Sequence, residues 1–148
     1  MSASGRVVVA NGANLNLQGS REPDIYGPET LAEIEAALRS ECEKRQIELA
    51  FFQTNHEGEL VDRVQREAAD ALGLVINPGA FSHYSYALFD CLKALTTPIV
   101  EVHLSNIFAR AEGFRRSSVT APATRGVISG LGARGYLLAL EYLLDRDK

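Results

Sequence analysis

RVVVA at residues 6–10, running straight into NGANLNLQGSREPDIYG at 11–27, decides how the chain is read. The first segment is short and apolar after Arg6, as expected of a parallel strand covered on both faces. The link that follows is far longer than the roughly 2–6 residues that normally join strand to helix. Its composition is also unusual for a linker. Asn11, Asn14 and Asn16 crowd the end of the strand, and Arg21, Glu22, Asp24 and Tyr26 follow between Gly19 and Gly27. Long links in compact domains are commonly functional, and the two glycines offer hinges. The segment reads as a catalytic lid.

Downstream, the pattern alternates. Helix one is expected from about Pro28, burying Leu31, Ile34, Leu38 and Cys42 at three- and four-residue steps. IELAFFQ (47–53) is a second strand, and a helix burying Leu60, Val64 and Ala68 runs to about Leu72. GLVIN (73–77) is a third strand. Ser82 then caps a helix reaching about Leu95. PIVEVH (98–103) is the fourth strand, Gly126 to Gly130 a short fifth, and Ala133 to about Asp145 a closing helix. Five βα repeats imply an α/β fold, a doubly wound five-stranded parallel sheet with helices on both faces.

Composition narrows the classes. The 148 residues read as one domain, 1–148, and the 46% hydrophobic content is that of a globular chain. No apolar run approaches the roughly 20 residues of a membrane span, and MSASGRVVVA lacks the apolar region of a signal peptide. A soluble cytoplasmic protein is expected. Cys42 and Cys91 fall in amphipathic helical patterns, so both are read as buried free thiols. A net charge of −4 argues against a nucleic-acid binder. The basic cluster Arg110, Arg115 and Arg116 suits a single carboxylate better than a duplex.

Ligands in open α/β sheets bind beyond the carboxyl ends of the strands. Those ends carry Asn11 and Asn14, then Asn55 and His56, then Asn77 and Gly79 with His83 nearby, then Glu101, His103, Ser105 and Asn106. All three histidines of the chain are among them. Plainer readings stand beside the functional one: Asn11 and Asn55 as partners of loop backbone, His56 as a helix cap, Tyr26 as a loop anchor, the arginines as solvated surface. Glu101 and His103 lie two apart on a strand and share a face, which allows a carboxylate to orient an imidazole. No zinc spacing, GxGxxG, Walker loop or nucleophile elbow is found. Acid–base chemistry without a metal or cofactor remains.

NGANLNLQGSREPDIYG (11–27), QTNHEGELVD (53–62), INPGAFSHYSYALFD (76–90), EVHLSN (101–106) and GVISGLGARGYLLALEYL (126–143), in that order, resemble the type II 3-dehydroquinate dehydratases along essentially the whole chain. The resemblance implies a flavodoxin-like fold and a homo-oligomer, a dodecamer built of trimers. It implies loss of water from 3-dehydroquinate to give 3-dehydroshikimate, by anti elimination through an enolate, within the shikimate pathway. By the same resemblance Tyr26 is the base, Arg21 stabilises its phenolate, His103 protonates the departing hydroxyl, and Glu101 holds His103. Asn14 would stabilise the enolate through a water. Asn77, His83, Leu104, Ser105 and Arg115 would bind substrate, and Asp90 would reach a neighbouring subunit's site. A free phenol titrates near 10, so a phenolate base at neutral pH needs a cation beside it.

The chain departs from the family pattern at Ala13, where proline is usual, at Phe81–Tyr84, where a threonine-rich segment is common, and by one inserted residue near Gly113. Arg115 is taken as the substrate arginine over Arg116 because it directly follows Phe114. Two competing readings are a flavodoxin-like module holding FMN or phosphate and a receiver-like domain. The first lacks a Gly/Ser/Thr-rich cradle running into a helix; the second lacks an acidic pair after strand one. An inactive relative is the third.

Overall fold

The computed structural model describes residues 5–146. Met1 to Ser4, which open the stretch read for a signal peptide, lie outside the described residues, as do the last two of the 1–148 domain. Five strands, β1 (Arg6–Asn11), β2 (Glu48–Gln53), β3 (Gly73–Asn77), β4 (Ile99–His103) and β5 (Gly126–Ser129), form one parallel sheet in the order β2-β1-β3-β4-β5. This is the flavodoxin-like order.

The alternation of side chains along β1 shows why both faces must be covered. Val7 and Val9 join Val75, Val100 and Val102 beneath α2 (Leu31–Lys44) and α5 (Arg134–Asp145). Val8 and Ala10 point the other way, with Leu74 and Ile76, beneath α3 (Glu57–Ala68) and α4 (Tyr86–Lys93). Each helix contributes a stripe at three- and four-residue spacing: Ile34, Leu38 and Cys42 on α2, Leu60, Val64 and Ala68 on α3. Cys42 and Cys91 are free, buried, and on opposite sides of the sheet. No helix among the described residues is long and apolar enough to cross a membrane.

Several boundaries differ from the sequence reading, each for a local reason. The lid is not structureless: a 3-10 turn spans Leu15–Leu17 and a single helical turn, α1, spans Pro23–Tyr26. The first long helix begins at Leu31 instead of Pro28, because Thr30 is extended and its hydroxyl accepts from the Glu33 amide at 3.1 Å. The helix after β3 is capped by Ser85, whose hydroxyl accepts from the Leu88 amide at 3.0 Å, and ends at Lys93. Ser82 instead lies within a 3-10 turn, Gly79–His83, that delays the helix. The second long helix stops at Ala68, short of Leu72.

The strand order reverses between β1 and β3, so the connections that leave their paired carboxyl ends run to opposite sides and frame a crevice. Tyr136 of α5, fully buried, closes its floor. Its hydroxyl donates to Asn11 Oδ1 at 2.7 Å and accepts from Asn77 Nδ2 at 2.8 Å. Asn11 Nδ2 in turn donates to the Phe52 carbonyl, and Asn77 Oδ1 accepts from the Gly79 amide. Tyr136→Phe would strand a buried donor and a buried acceptor, at a cost of about 1–3 kcal/mol each. Urea unfolding is expected to show a loss of roughly 2–6 kcal/mol; a variant as stable as the parent would mean the two amides find other partners.

Candidate active site

The loop 11–27 folds over the carboxyl ends of the strands and lines a pocket there. Its walls bring Tyr26 and Arg21 of the lid together with Asn14, Asn77, His83 and His103 from the strand ends. Leu104, Ser105 and Arg115 of the loop after β4 complete it, as does Arg110. Of the residues expected at the site, Glu101 sits behind this wall against His103, and Asp90 lies apart, exposed on α4.

Tyr26 occupies the last position of α1, held there by a side chain the sequence reading did not single out. Gln18, itself buried, donates from Nε2 to the Tyr26 carbonyl at 2.9 Å and to the Gly27 carbonyl at 3.3 Å. The phenol then meets two cations. Arg21 Nη2 and Arg110 Nη1 each lie 3.2 Å from Tyr26 Oη, and their guanidinium carbons stand 4.8 and 5.2 Å from the ring centroid. Arg110 also donates to Ser105 Oγ at 3.2 Å. In the sequence Arg110 appeared only as one of a basic cluster. Its approach depends on the turn Ile107–Ala109, whose Asn106 cap sends the chain back toward the lid.

The opposite polarity gathers at β4. His103 and Glu101 share a face of the strand, and His103 Nε2 is 2.7 Å from Glu101 Oε2. Both are buried, Glu101 completely. Burial alone would push the Glu101 carboxyl up. Its bonds with His103, Thr120 and Ser118 outweigh that and hold it below the usual carboxylate range. The bond to Nε2 leaves His103 Nδ1 as the ring nitrogen available to the pocket.

His83 is set differently. Its Nδ1 lies 2.7 Å from the Ser117 carbonyl, so Nδ1 carries the proton and Nε2 is left as an acceptor. Burial, foremost, with His103 and Arg115 nearby, lowers its pKa below the ordinary value. Asn14 adopts a left-handed backbone with φ 68°, unusual for a residue other than glycine and best tolerated by asparagine or aspartate. Asn55 Oδ1 supports it by accepting the Asn14 amide at 2.8 Å. Asn11 and Asn55 therefore serve the scaffold, as their plainer readings had it. His56 stands at the cap position of α3, but its side chain makes no capping bond; the Thr54 hydroxyl accepts the His56 amide instead.

Arg115 and Arg116 separate cleanly. Arg115 lines the pocket, 3.5 Å from Glu112 Oε1, whereas Arg116 donates to the carbonyl of Arg110 at 2.7 Å and takes no part in the lining. Gly113 opens the turn Gly113–Arg116 in an exposed position with open space around it, and the same turn brings Arg115 to the pocket. Among the described residues, no three His, Cys, Asp or Glu side chains come together as a metal set.

The state of His83 has a measurable consequence. Because its folded pKa is depressed, the unfolded chain takes up a proton first as pH falls below about 6.5. Its contribution to stability is thus complete above that pH and declines as pH falls toward the folded value. Ring ¹⁵N spectra are expected to show His83 neutral with the proton on Nδ1 at pH 6.5; a ring already charged there would contradict the geometry.

Comparisons agree with this architecture. The family model for class II dehydroquinases matches residues 5–144. A 3-dehydroquinate dehydratase of Bacillus licheniformis is 52% identical over 141 residues, covering 95% of this chain and 97% of that protein. One of Bacillus subtilis is 50% identical over 140 residues, covering 95% and 94%. The crystal structure of the type II dehydroquinase from Butyrivibrio crossotus superposes with a TM-score of 0.91 at 40% identity, over 95% of this chain and 98% of that one. The chain belongs to the class II dehydroquinase family.

Proposed function

We propose that this chain is a lyase that dehydrates 3-dehydroquinate to 3-dehydroshikimate, by anti elimination through an enolate and without a cofactor. The observation that carries this reading is the placing of Tyr26 Oη between two guanidinium groups in a pocket also lined by His103, with Glu101 bonded to His103 from behind.

The proton at C2 of the substrate lies next to a ketone and leaves with the electron pair delocalised onto the carbonyl oxygen. Tyr26, as phenolate, takes that proton. Charged hydrogen bonds of this kind are each worth about 1.5–3 kcal/mol, and Arg21 and Arg110 offer two of them to the phenolate. Asn14 stabilises the enolate oxygen through a water, as an oxyanion site would. The ketone then re-forms, the C2 electron pair becomes the C1–C2 double bond, and the C1 hydroxyl departs. His103 supplies its proton, so water leaves instead of hydroxide. Glu101 keeps the imidazole charged until that moment. Afterwards Tyr26 is neutral and protonated and His103 is neutral, and exchange with solvent restores both.

Arg115 pairs with substrate oxygens, and His83, Asn77, Ser105 and the backbone at Leu104 bind the ring hydroxyls and carboxylate. Bonds from the Asn77 side chain to Tyr136 and Gly79 fix its orientation and leave one Nδ2 proton free for substrate. Asp90 is exposed on α4 outside the pocket of its own chain. This suits a role in a neighbouring subunit's site within a dodecamer of trimers. The setting of this reading is aromatic amino acid biosynthesis in the cytoplasm, with the chain working as one catalytic domain.

Purified protein is expected to convert 3-dehydroquinate to the conjugated enone, followed by its ultraviolet absorbance, with a chelator making no difference. Tyr26→Phe is expected to lower turnover by about 10³-fold or more while substrate binding remains measurable. Substantial residual turnover would exclude Tyr26 as the base. Arg115→Ala is expected to raise KM roughly tenfold or more, with Arg116→Ala near the parent value; the reverse would assign the substrate contact to Arg116. Sedimentation at the 16.1 kDa of a lone chain would remove the assembly from the reading.

A further inference from the structure

Glu101 is fully enclosed, yet every bond to its side chain comes from a donor. Oε2 faces His103 Nε2 at 2.7 Å and accepts from Ser118 Oγ at 2.7 Å; Oε1 accepts from Thr120 Oγ1. Each hydroxyl has a single proton to give. Ser118 Oγ accepts from the Ala121 amide at 3.0 Å, which turns its own proton toward the carboxylate. Ser118 and Thr120 Oγ atoms are 3.1 Å apart. With both hydroxyl protons turned to Glu101, each of its oxygens accepts, the arrangement that favours a carboxylate over the neutral acid.

The loop that carries these hydroxyls is fixed at both ends of the short run 117–121. The Ser117 carbonyl holds His83 Nδ1, the Val119 amide donates to the Ser82 carbonyl at 2.6 Å, and the 3-10 turn Ala121–Ala123 packs on α4. One strap therefore reaches both histidines of the pocket, His83 directly and His103 through Glu101.

We infer that Ser118 and Thr120 are positioning residues for the elimination: their hydroxyls hold Glu101 ionised and aimed at His103 Nε2, so that His103 keeps the proton it delivers to the leaving hydroxyl. This rests on the reading of His103 as the acid. Thr120 is the more telling of the two, because its hydroxyl is the partner of Oε1. The titratable groups facing Glu101 are His103 on its own strand and His83 on the turn after β3, which senses its charge. Its sheet neighbours are Ile76 on β3 and Val127 on β5. From α4, Leu88 and Leu92 point inward while Asp90 and Lys93 are exposed.

Hydrogen bonds to a carboxylate favour its charged form, so removing one raises its pKa. In Thr120→Val the acid limb of the kcat–pH profile, where Glu101 takes up a proton, is expected to move up by about one pH unit, with KM changed less than kcat. Thr120→Ser, which restores the hydroxyl, is expected to return the limb to the parent position. The Glu101 carboxyl carbon, followed by ¹³C NMR, is expected to titrate at the same displaced pH. A Thr120→Val profile superposable on the parent would overturn the inference. So would an equal loss at every pH that Thr120→Ser fails to repair, or a displaced carboxyl titration with unchanged turnover. If Thr120→Val does not fold, Ser118→Ala puts the same question to Oε2. A separate control isolates the underlying reading: parent-like turnover in His103→Ala would sink the acid assignment, whatever Thr120 does.

Discussion

At the carboxyl ends of β1 and β3 the paired residues Asn11 and Asn77 bury two side-chain amides, and the hydroxyl of Tyr136 bonds to both. That bridge between Asn11, Asn77 and a helix 125 residues further along than Asn11 sets the floor of the crevice. Everything above it inherits its position. Asn77 passes the constraint to Gly79 and thence to the turn carrying His83. Asn11 passes it through the Phe52 carbonyl to β2, whose following residues place Asn55 against the backbone of Asn14. A phenol buried among apolar side chains stays protonated, and burial pushes its pKa well above the ordinary range. It therefore remains a hydroxyl able to donate and accept at any working pH.

On this floor the chain erects two environments of opposite sign. Two guanidinium groups from separate loops converge on the phenol of Tyr26, and a fully buried carboxylate backs the imidazole of His103. Tyr26, the proposed base, stands on the long loop after β1, and His103, the proposed acid, on the sheet. Gln18 matters here because it fixes the backbone of Tyr26, not its phenol.

Much of this was readable in advance. The near-continuous apolar runs in RVVVA, GLVIN and PIVEVH required a sheet covered on both sides, and the cores on its two faces divide Val7 and Val9 from Val8 and Ala10 as a period of two demands. Glu101 and His103 could be paired from their spacing because a strand fixes which residues share a face. Tyr26 with Arg21 was legible through the family resemblance, which carries both on one motif of one loop. Arg110 was not, since its meeting with Tyr26 spans 84 residues and depends on a cap at Asn106 and a short 3-10 turn. Ser118 and Thr120 were hidden for a similar reason: small hydroxyls in a long loop carry no periodic signal, and only the fold brings them to Glu101. The cap at Ser85 was misread as Ser82 because both positions hold serine, and the 3-10 turn that separates them has little sequence signature.

The central claim is that a lid phenolate and a sheet imidazolium perform two separable proton transfers. It is tested most directly by giving 3-dehydroquinate to the His103→Ala variant in deuterated water and following the C2 protons by NMR. The account predicts that one C2 proton exchanges for deuterium while little enone forms, and that the exchange vanishes when Tyr26→Phe is added. Enone formation at the parent rate, or exchange that persists without the Tyr26 hydroxyl, would contradict it.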